Sequence, residues 1–404
     1  MTLPIRTLTT DDLTGVWAVL EHAFAGPHAS DEDRDVEFAL ADPARFYGGY
    51  DGDHPVASGG SLALSMTVPG GSRPVAGVTW IGVQPTHRRR GLLTSIMGRL
   101  IGDLHDRGEA VAALWASEGA IYQRFGFGPA AWDVALAVPS HAAFNRPVAA
   151  TGLRLVEPDR TDLRAVYDSV AATTGGWHAR DDAWWDYRLH DPEGNRSGAS
   201  PLRCVLADGP TGVEGYALYA TRQEWESGRP SGTAHLRELV AVNPEAKARL
   251  WRYLLDLDLL QSVRSHITGA DEPLLQLLAE PRAAVPRLKD NLWVRLVDVA
   301  AALGGRAYAA DVDLVLAVED DACPWNAGRF RLQAGRDGAT CESTSEEPDL
   351  RVHAADLGAA YLGGTTLLSR AAAGHVTELR DGALVEASAA FSWPGPAPYA
   401  PLAW

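Results

Sequence analysis

The sequence predicts a mixed α/β (α+β) protein: a duplicated unit followed by a smaller α/β unit. Three observations predict it. First, "RTLTTDDLTGVWAVLEHAF" and "LRLVEPDRTDLRAVYDSV" open alike, each running from a β-prone segment through a Thr/Asp cap into apolar residues at helical spacing. Second, "TWIGVQPTHRRRGLLTSIMGRLIGDL" is paralleled by "RELVAVNPEAKARLWRYLLDLDLL". Val83 falls on Val242, Pro85 on Pro244, Arg88 on Lys247 and Arg90 on Arg249, whereas Gly91 falls on Leu250. Third, "NLWVRLVDVAAALGGRAYAADVDLVLAVED", from Asn291, opens a further unit with alternating strand patterns.

The elements follow in order. Thr9 to Asp12 cap the helix "LTGVWAVLEHAF", and "DEDRDVEFALADPARF" reads as a polar helix or a loop. "RFYGGYDGDHPVASGGSLALSMTVPGG" alternates short β-prone runs with Gly/Asp turns, which predicts a hairpin or meander. "PVAGVTWIGVQP" is a strand ended by Pro85, and from Gly91 the residues Leu92, Leu93, Ile96, Met97 and Leu100 recur at helical spacing. "AVAALWAS" is a buried strand before the short helix "EGAIYQRFG", and "SHAAFNRPVAATG" reads as a linker. In the third unit "PDLRVHAADLGAAYLGGTTLLSRAAAGHV" is mostly helical with a break at Gly363-Gly364. The tail "FSWPGPAPYAPLAW" is stiffened by prolines toward polyproline II, so it can be held extended at low entropic cost.

Composition narrows the function. Lys and Arg total 36 against 52 Asp and Glu, a formal net charge of −16. That argues against general binding of nucleic acid or anionic membranes and suits a cationic partner, although solubility alone is a sufficient cause. Cys204, Cys323 and Cys341 are widely spaced, no CxxC occurs, and the histidines form no HExxH pattern, so neither a disulfide framework nor a metal site is expected. Neither a signal-peptide core nor a membrane-length apolar run is present, which predicts a cytoplasmic protein.

The basic stretch "GVQPTHRRRGLL" stands out on an acidic chain. A strand ended by a kink, then Arg-x-x-Gly, then an amphipathic helix is a design for holding a pyrophosphate. The first N–H groups of a helix have no intrahelical partner and carry partial positive charge. A glycine lets a phosphate approach the backbone, and arginines add charge and donors. The bland alternative is a solvated basic helix start. The stretch is neither a Walker loop nor a G-x-G-x-x-G turn.

It resembles the coenzyme A pyrophosphate turn of GNAT acetyltransferases, with Leu93 where most members carry Gly or Ala. Together with "AALWASEGAIYQRFGFGPA", "ARLWRYLL" and "LWVRLVDV", the chain resembles, over essentially its whole length, the Eis (enhanced intracellular survival) family of N-acetyltransferases. That resemblance implies a GNAT domain over 1–145 that binds acetyl-CoA, a second GNAT domain over 152–290 without coenzyme, and a sterol-carrier-like domain over 291–404. On the sequence alignment, Leu250 at the glycine position would block phosphate in the second copy.

The resemblance also assigns roles. Backbone N–H groups at Ile81 to Val83 would bind the thioester carbonyl, and Arg88, Arg89, Gly91, Leu92, Leu93 and Ser117 would complete the acetyl-CoA site. Tyr122 would be the general acid. No Asp, Glu or His base is visible near these motifs, and the family uses its C-terminal carboxylate, here that of Trp404. Relatives often end in Phe after an acidic residue; this chain ends Leu402-Ala403-Trp404. Phe24, Trp80 and Trp115 would line the acceptor pocket. The acidic run Asp31, Glu32, Asp33 and Asp35 would attract polyamines, or is simply a solvated face. The implied activity is acetylation of multi-amine small molecules such as aminoglycosides by a homo-oligomer, a hexamer in characterised relatives. Acetylation of lysine or of a specialised-metabolite amine, and non-catalytic binding of an apolar ligand, are the alternatives.

Overall fold

The structure, a computed structural model, describes residues 3–26 and 28–404. It divides into two compact units. One takes the chain up to Ala131, Asn291–Pro394 and Ala403–Trp404; the other takes Trp132–Asp290 and Gly395–Leu402.

The first unit holds a seven-stranded sheet in the order Ile5–Thr7, Phe46–Asp51, His54–Val68, Gly71–Val83, Val111–Trp115, Leu292–Leu296, Gly128–Pro129. Gly71–Val83 and Val111–Trp115 run parallel and the other pairs are antiparallel. The helix Leu92–Asp106 turns Leu92, Ile96, Met97, Leu100, Ile101 and Leu104 inward. They meet Val78, Leu114 and Phe127 in one core, as the helical apolar spacing requires.

The same unit carries a five-stranded sheet, ordered Gly338–Ser343, Gly328–Gly335, Val312–Glu319, Leu350–His353, Val376–Glu378. The stretch read as mostly helical is a strand, the helices Ala354–Ala360 and Leu367–Ala372, and a closing strand. The break falls where expected, with Gly363 at φ +83°. Helix Ala354–Ala360 lies so close to Leu292–Leu296 that a Cβ at Gly358 would run into the Val294 carbonyl.

The second unit repeats the first sheet. Its order is Leu153–Val156, Arg203–Gly209, Gly212–Arg222, Gly232–Ala241, Leu260–Ser265, Trp132–Pro139, Arg287–Asp290. Here too the fourth and fifth strands are parallel, and the helix Pro244–Leu255 follows the fourth. Its Leu250, Trp251, Leu254 and Leu255 are buried in that unit's core.

The sixth position of each sheet departs from chain order. Leu292–Leu296 pairs with Val111–Trp115 in the first sheet, and Trp132–Pro139 pairs with Leu260–Ser265 in the second. Thus the strand that opens the third sequence segment completes the first sheet, and the one that ends the first segment completes the second. Alternating apolar residues announce a strand but carry no address for its partner, because pairing at such separations is non-local.

Candidate active site

The site begins with a fault in a strand. Opposite Gly71–Val83, the register of His54–Val68 shifts between Ser58 and Gly60, and Trp80 sits at φ +54°. Ser58 Oγ donates to the Trp80 carbonyl at 2.7 Å and pins this bulge. Gly59 leaves the space that the Ile81 side chain takes. The Trp80 ring packs against Phe46, Trp17 and Phe38 at centroid distances of 4.6, 5.5 and 5.8 Å. Beyond the bulge the strands part: the parallel ladder to Val111–Trp115 runs from Ala76↔Ala112 to Val78↔Leu114 and stops.

Into that gap opens a cavity of about 610 Å³. Ile81, Gly82 and Val83 form one wall. The opposite wall is Ser117, Glu118, Ile121, Tyr122 and Arg124, from the segment after Val111–Trp115. The floor is the mouth of the helix Leu92–Asp106, with His87, Arg88, Arg89, Gly91, Leu92, Leu93 and Thr94, and Ala23 and Phe24 close the rim.

The helix mouth is shaped by two left-handed residues, Arg89 at φ +63° and Gly91 at φ +81°. Gly91 is the N-cap and has no side chain with which to cap the helix, and a Cβ there would meet nothing within 4 Å. Arg88, Arg89 and Arg90 are exposed. Arg88 Nη2 donates to the Ala23 carbonyl at 3.0 Å, on the last turn of the helix Leu13–Phe24. Open N–H groups, a glycine and the guanidinium groups of Arg88 and Arg89 beside an unpaired strand edge fit a pyrophosphate carrying a thioester arm.

Tyr122 is 5% exposed and lies on the short helix Gly119–Gln123, its ring edge-on to Phe127. Burial pushes its phenol above the ordinary range, a hydrogen bond with Ser117 works the other way, and the charge of Glu118 adds to the rise. Ser117 thus touches both the cavity and the phenol.

Three of the aromatic or terminal residues singled out in the sequence do not line this cavity. Trp80 is 7% exposed in the ring cluster described above, and half-buried Trp115 pairs with Leu292 at the end of its strand. Trp404 is half-buried, with its indole nitrogen 3.0 Å from where a Cβ of Gly77 would stand. The missing side chain at Gly77 makes room for the Leu64 side chain and for the Trp404 indole, one position before the parallel ladder gives out. A glycine inside a strand marks such close approach, and Gly77 is the residue that sequence reasoning passed over. Thr94 and Arg124 were missed too, although Thr94 falls in the first turn of the helix, whose start faces the cavity.

The acidic run has a local cause. Ser30 caps the helix Asp31–Phe38 and forms a capping box with Asp33, while Asp31 pairs with Arg34. Acids in a first helical turn complement the helix dipole.

In the second unit the corresponding strands also part, after Leu236↔Ser265. The helix that follows is built differently. Asn243 caps it, its side chain accepting from the Ala246 N–H at 2.8 Å, and Pro244 is its first residue. The stretch aligned with the arginines is already inside the helix. Leu250 is not at the helix mouth, as the alignment placed it; it is a fully buried core residue. The second unit lacks the left-handed turn that precedes the first helix, and Leu250 has no part in that difference.

The fold and cavity define a class: tandem GNAT acetyltransferase domains followed along the chain by a third domain. Comparison agrees. Residues 4–130 and 176–296 each match the acetyltransferase (GNAT) domain, and 299–401 match the sterol carrier protein domain. The chain is 43% identical over 398 residues to an uncharacterized N-acetyltransferase of Streptomyces avermitilis, with 97% of each chain covered. It is 33% identical over 413 residues to N-acetyltransferase Eis of Mycobacterium tuberculosis, again with 97% of each covered. The crystal structure of Eis1 from Mycobacterium abscessus superposes with a TM-score of 0.85 at 35% identity, covering 99% of this chain and all of that one. The chain belongs to the Eis family of GNAT N-acetyltransferases and is an acetyltransferase. Among the described residues no helix is long and apolar enough to cross a membrane, and no cluster of His, Cys, Asp and Glu could hold a metal ion.

Proposed function

We propose that the protein transfers acetyl groups from acetyl-CoA to amino groups of multi-amine small molecules such as aminoglycosides, with Tyr122 as general acid and the carboxylate of Trp404 as general base. The observation that carries this reading is the meeting of an uncapped helix mouth and the Tyr122 phenol in one cavity. Bound acetyl-CoA supplies an activated thioester. The helix mouth with Arg88, Arg89 and Gly91 holds the pyrophosphate, flanked by Leu92 and Leu93. The free edge at Ile81 to Val83 orients the thioester carbonyl.

Tyr122 holds a proton on Oη for the departing thiolate. Because burial raises its pKa, the phenol keeps that proton throughout neutral pH, so its position counts for more than its acidity. The Trp404 carboxylate takes the proton that the acceptor ammonium must lose. The seat of Trp404 beside Gly77 supports this role, because an unplaced terminus would fray. Phe24 lies at the exposed rim where the acceptor enters.

Amidating the terminus by semisynthesis removes the charge and keeps the indole. We expect kcat to fall by ~10²–10⁴ with acetyl-CoA affinity unchanged by calorimetry. Full activity of the amidated enzyme across the pH range would remove the carboxylate from the mechanism.

A further inference from the structure

The gap in the second unit is not left open. Its walls are Leu239, Val240 and Ala241 on one side and Gly269, Asp271 and Glu272 on the other. In it lie two residues of the chain's own tail, Pro396 and Tyr399, and only about 200 Å³ remains beside them. The Tyr399 ring meets Trp177 edge-on at 5.7 Å and packs against the bare backbone of Gly269, where a Cβ would stand 3.1 Å from it. The Tyr399 N–H donates to the Gly175 carbonyl at 3.0 Å, and the Ala397 N–H donates to Asp271 Oδ2 at 2.8 Å.

The charge in this gap is also spent. Lys247, aligned with Arg88, is bound by Glu272 at 3.0 Å, and the other Glu272 oxygen accepts from Trp251 at 2.9 Å. Among the described residues that line the gap, no cation is left over for a phosphate. What the first repeat presents to a ligand, the second presents to a tyrosine and two backbone amides.

We propose that the second repeat is the docking site for the C-terminal tail, and that Tyr399 is its positioning residue, occupying the place which the coenzyme's counterpart would take. Trp404 lies five positions beyond Tyr399, a reach of at most about 18 Å, so a docked Tyr399 restricts where the terminal carboxylate can be. The catalytic consequence rests on the role proposed above for Trp404; the docking does not.

The test uses the full chain as Tyr399→Ala, Tyr399→Phe and Asp271→Ala. Asp271 is exposed, so its truncation removes one tail bond without disturbing the core. Release of Trp404 by a carboxypeptidase reports docking. It should quicken at least about tenfold in Tyr399→Ala, less in Asp271→Ala, and not at all in Tyr399→Phe, which keeps the ring. In Tyr399→Ala, kcat should fall at least about tenfold while KM for acetyl-CoA stays constant. Unchanged protection of Trp404 in both alanine variants overturns the docking. Faster release with unchanged kcat upholds the docking and overturns the carboxylate's role.

Discussion

The two repeats share strand order, the parallel fourth and fifth strands, and the parting of those strands. They differ in how the next helix begins. In the first, a turn of two left-handed residues delays the helix to Leu92 and leaves its N–H groups open. In the second, Asn243 and Pro244 start the helix at once and the asparagine side chain satisfies an N–H. An open helix mouth leaves N–H groups available to a ligand at some cost in stability; a capped one satisfies an N–H within the helix itself. The chain has kept one of each.

The comparison is broken most severely at Gly91. Gly91→Leu forces a branched residue into the left-handed region and fills the mouth. Acetyl-CoA binding should fall below detection by calorimetry, while folding stability drops by only about 1–2 kcal/mol. Unchanged affinity would refute the assignment of this turn.

A second contrast concerns charge. The arginines of the first cavity face solvent, whereas the second unit buries His178, Arg180, Arg188 and Glu238. Burial, joined by the Arg180 charge, lowers the His178 pKa to about 3. The arginines Arg180 and Arg188 overcome burial to bring Glu238 down to about 2. Both signs agree. The unfolded chain takes up protons on His178 from about pH 6.5 and on Glu238 from about pH 4.5, before the folded chain does. Stability is therefore fully present above about pH 6.5 and declines as pH falls through both windows. Thermal melts of His178→Asn should show a flatter decline between about pH 6.5 and 4.5 than the parent. An equal slope would remove His178 as its cause.

The smallest effect sharpens the comparison. Asn243→Ala should cost ~1 kcal/mol in denaturant unfolding and leave acetyl-CoA affinity untouched, because this cap only stabilises. A change in affinity would mean that the second helix start has a ligand-binding role.

Much of this was legible in the sequence, for local reasons. Helical spacing placed Leu92–Asp106, turn residues announced the meander, and the order of strand, proline, Arg-x-x-Gly and helix located the cavity floor. Two features escaped. The alignment set Leu250 opposite Gly91, yet Asn243-Pro244 is itself a helix-start signal and would have moved the boundary. The places of Trp80, Tyr399 and Trp404 depend on contacts hundreds of residues apart in some cases, and no local pattern reports those. The glycines at 77 and 269 were the available traces.

The crossed assignment of the sixth strands has a consequence for the ribosome. Val111–Trp115 emerges early, but its neighbour Leu292–Leu296 is translated about 180 residues later, which at ordinary elongation rates is roughly 10–35 s. For that interval a nascent chain carries a sheet with one open, apolar edge, the kind of edge that recruits other chains. Synthesis of the first repeat alone, as in a gene fragment ending at its boundary, makes that interval permanent.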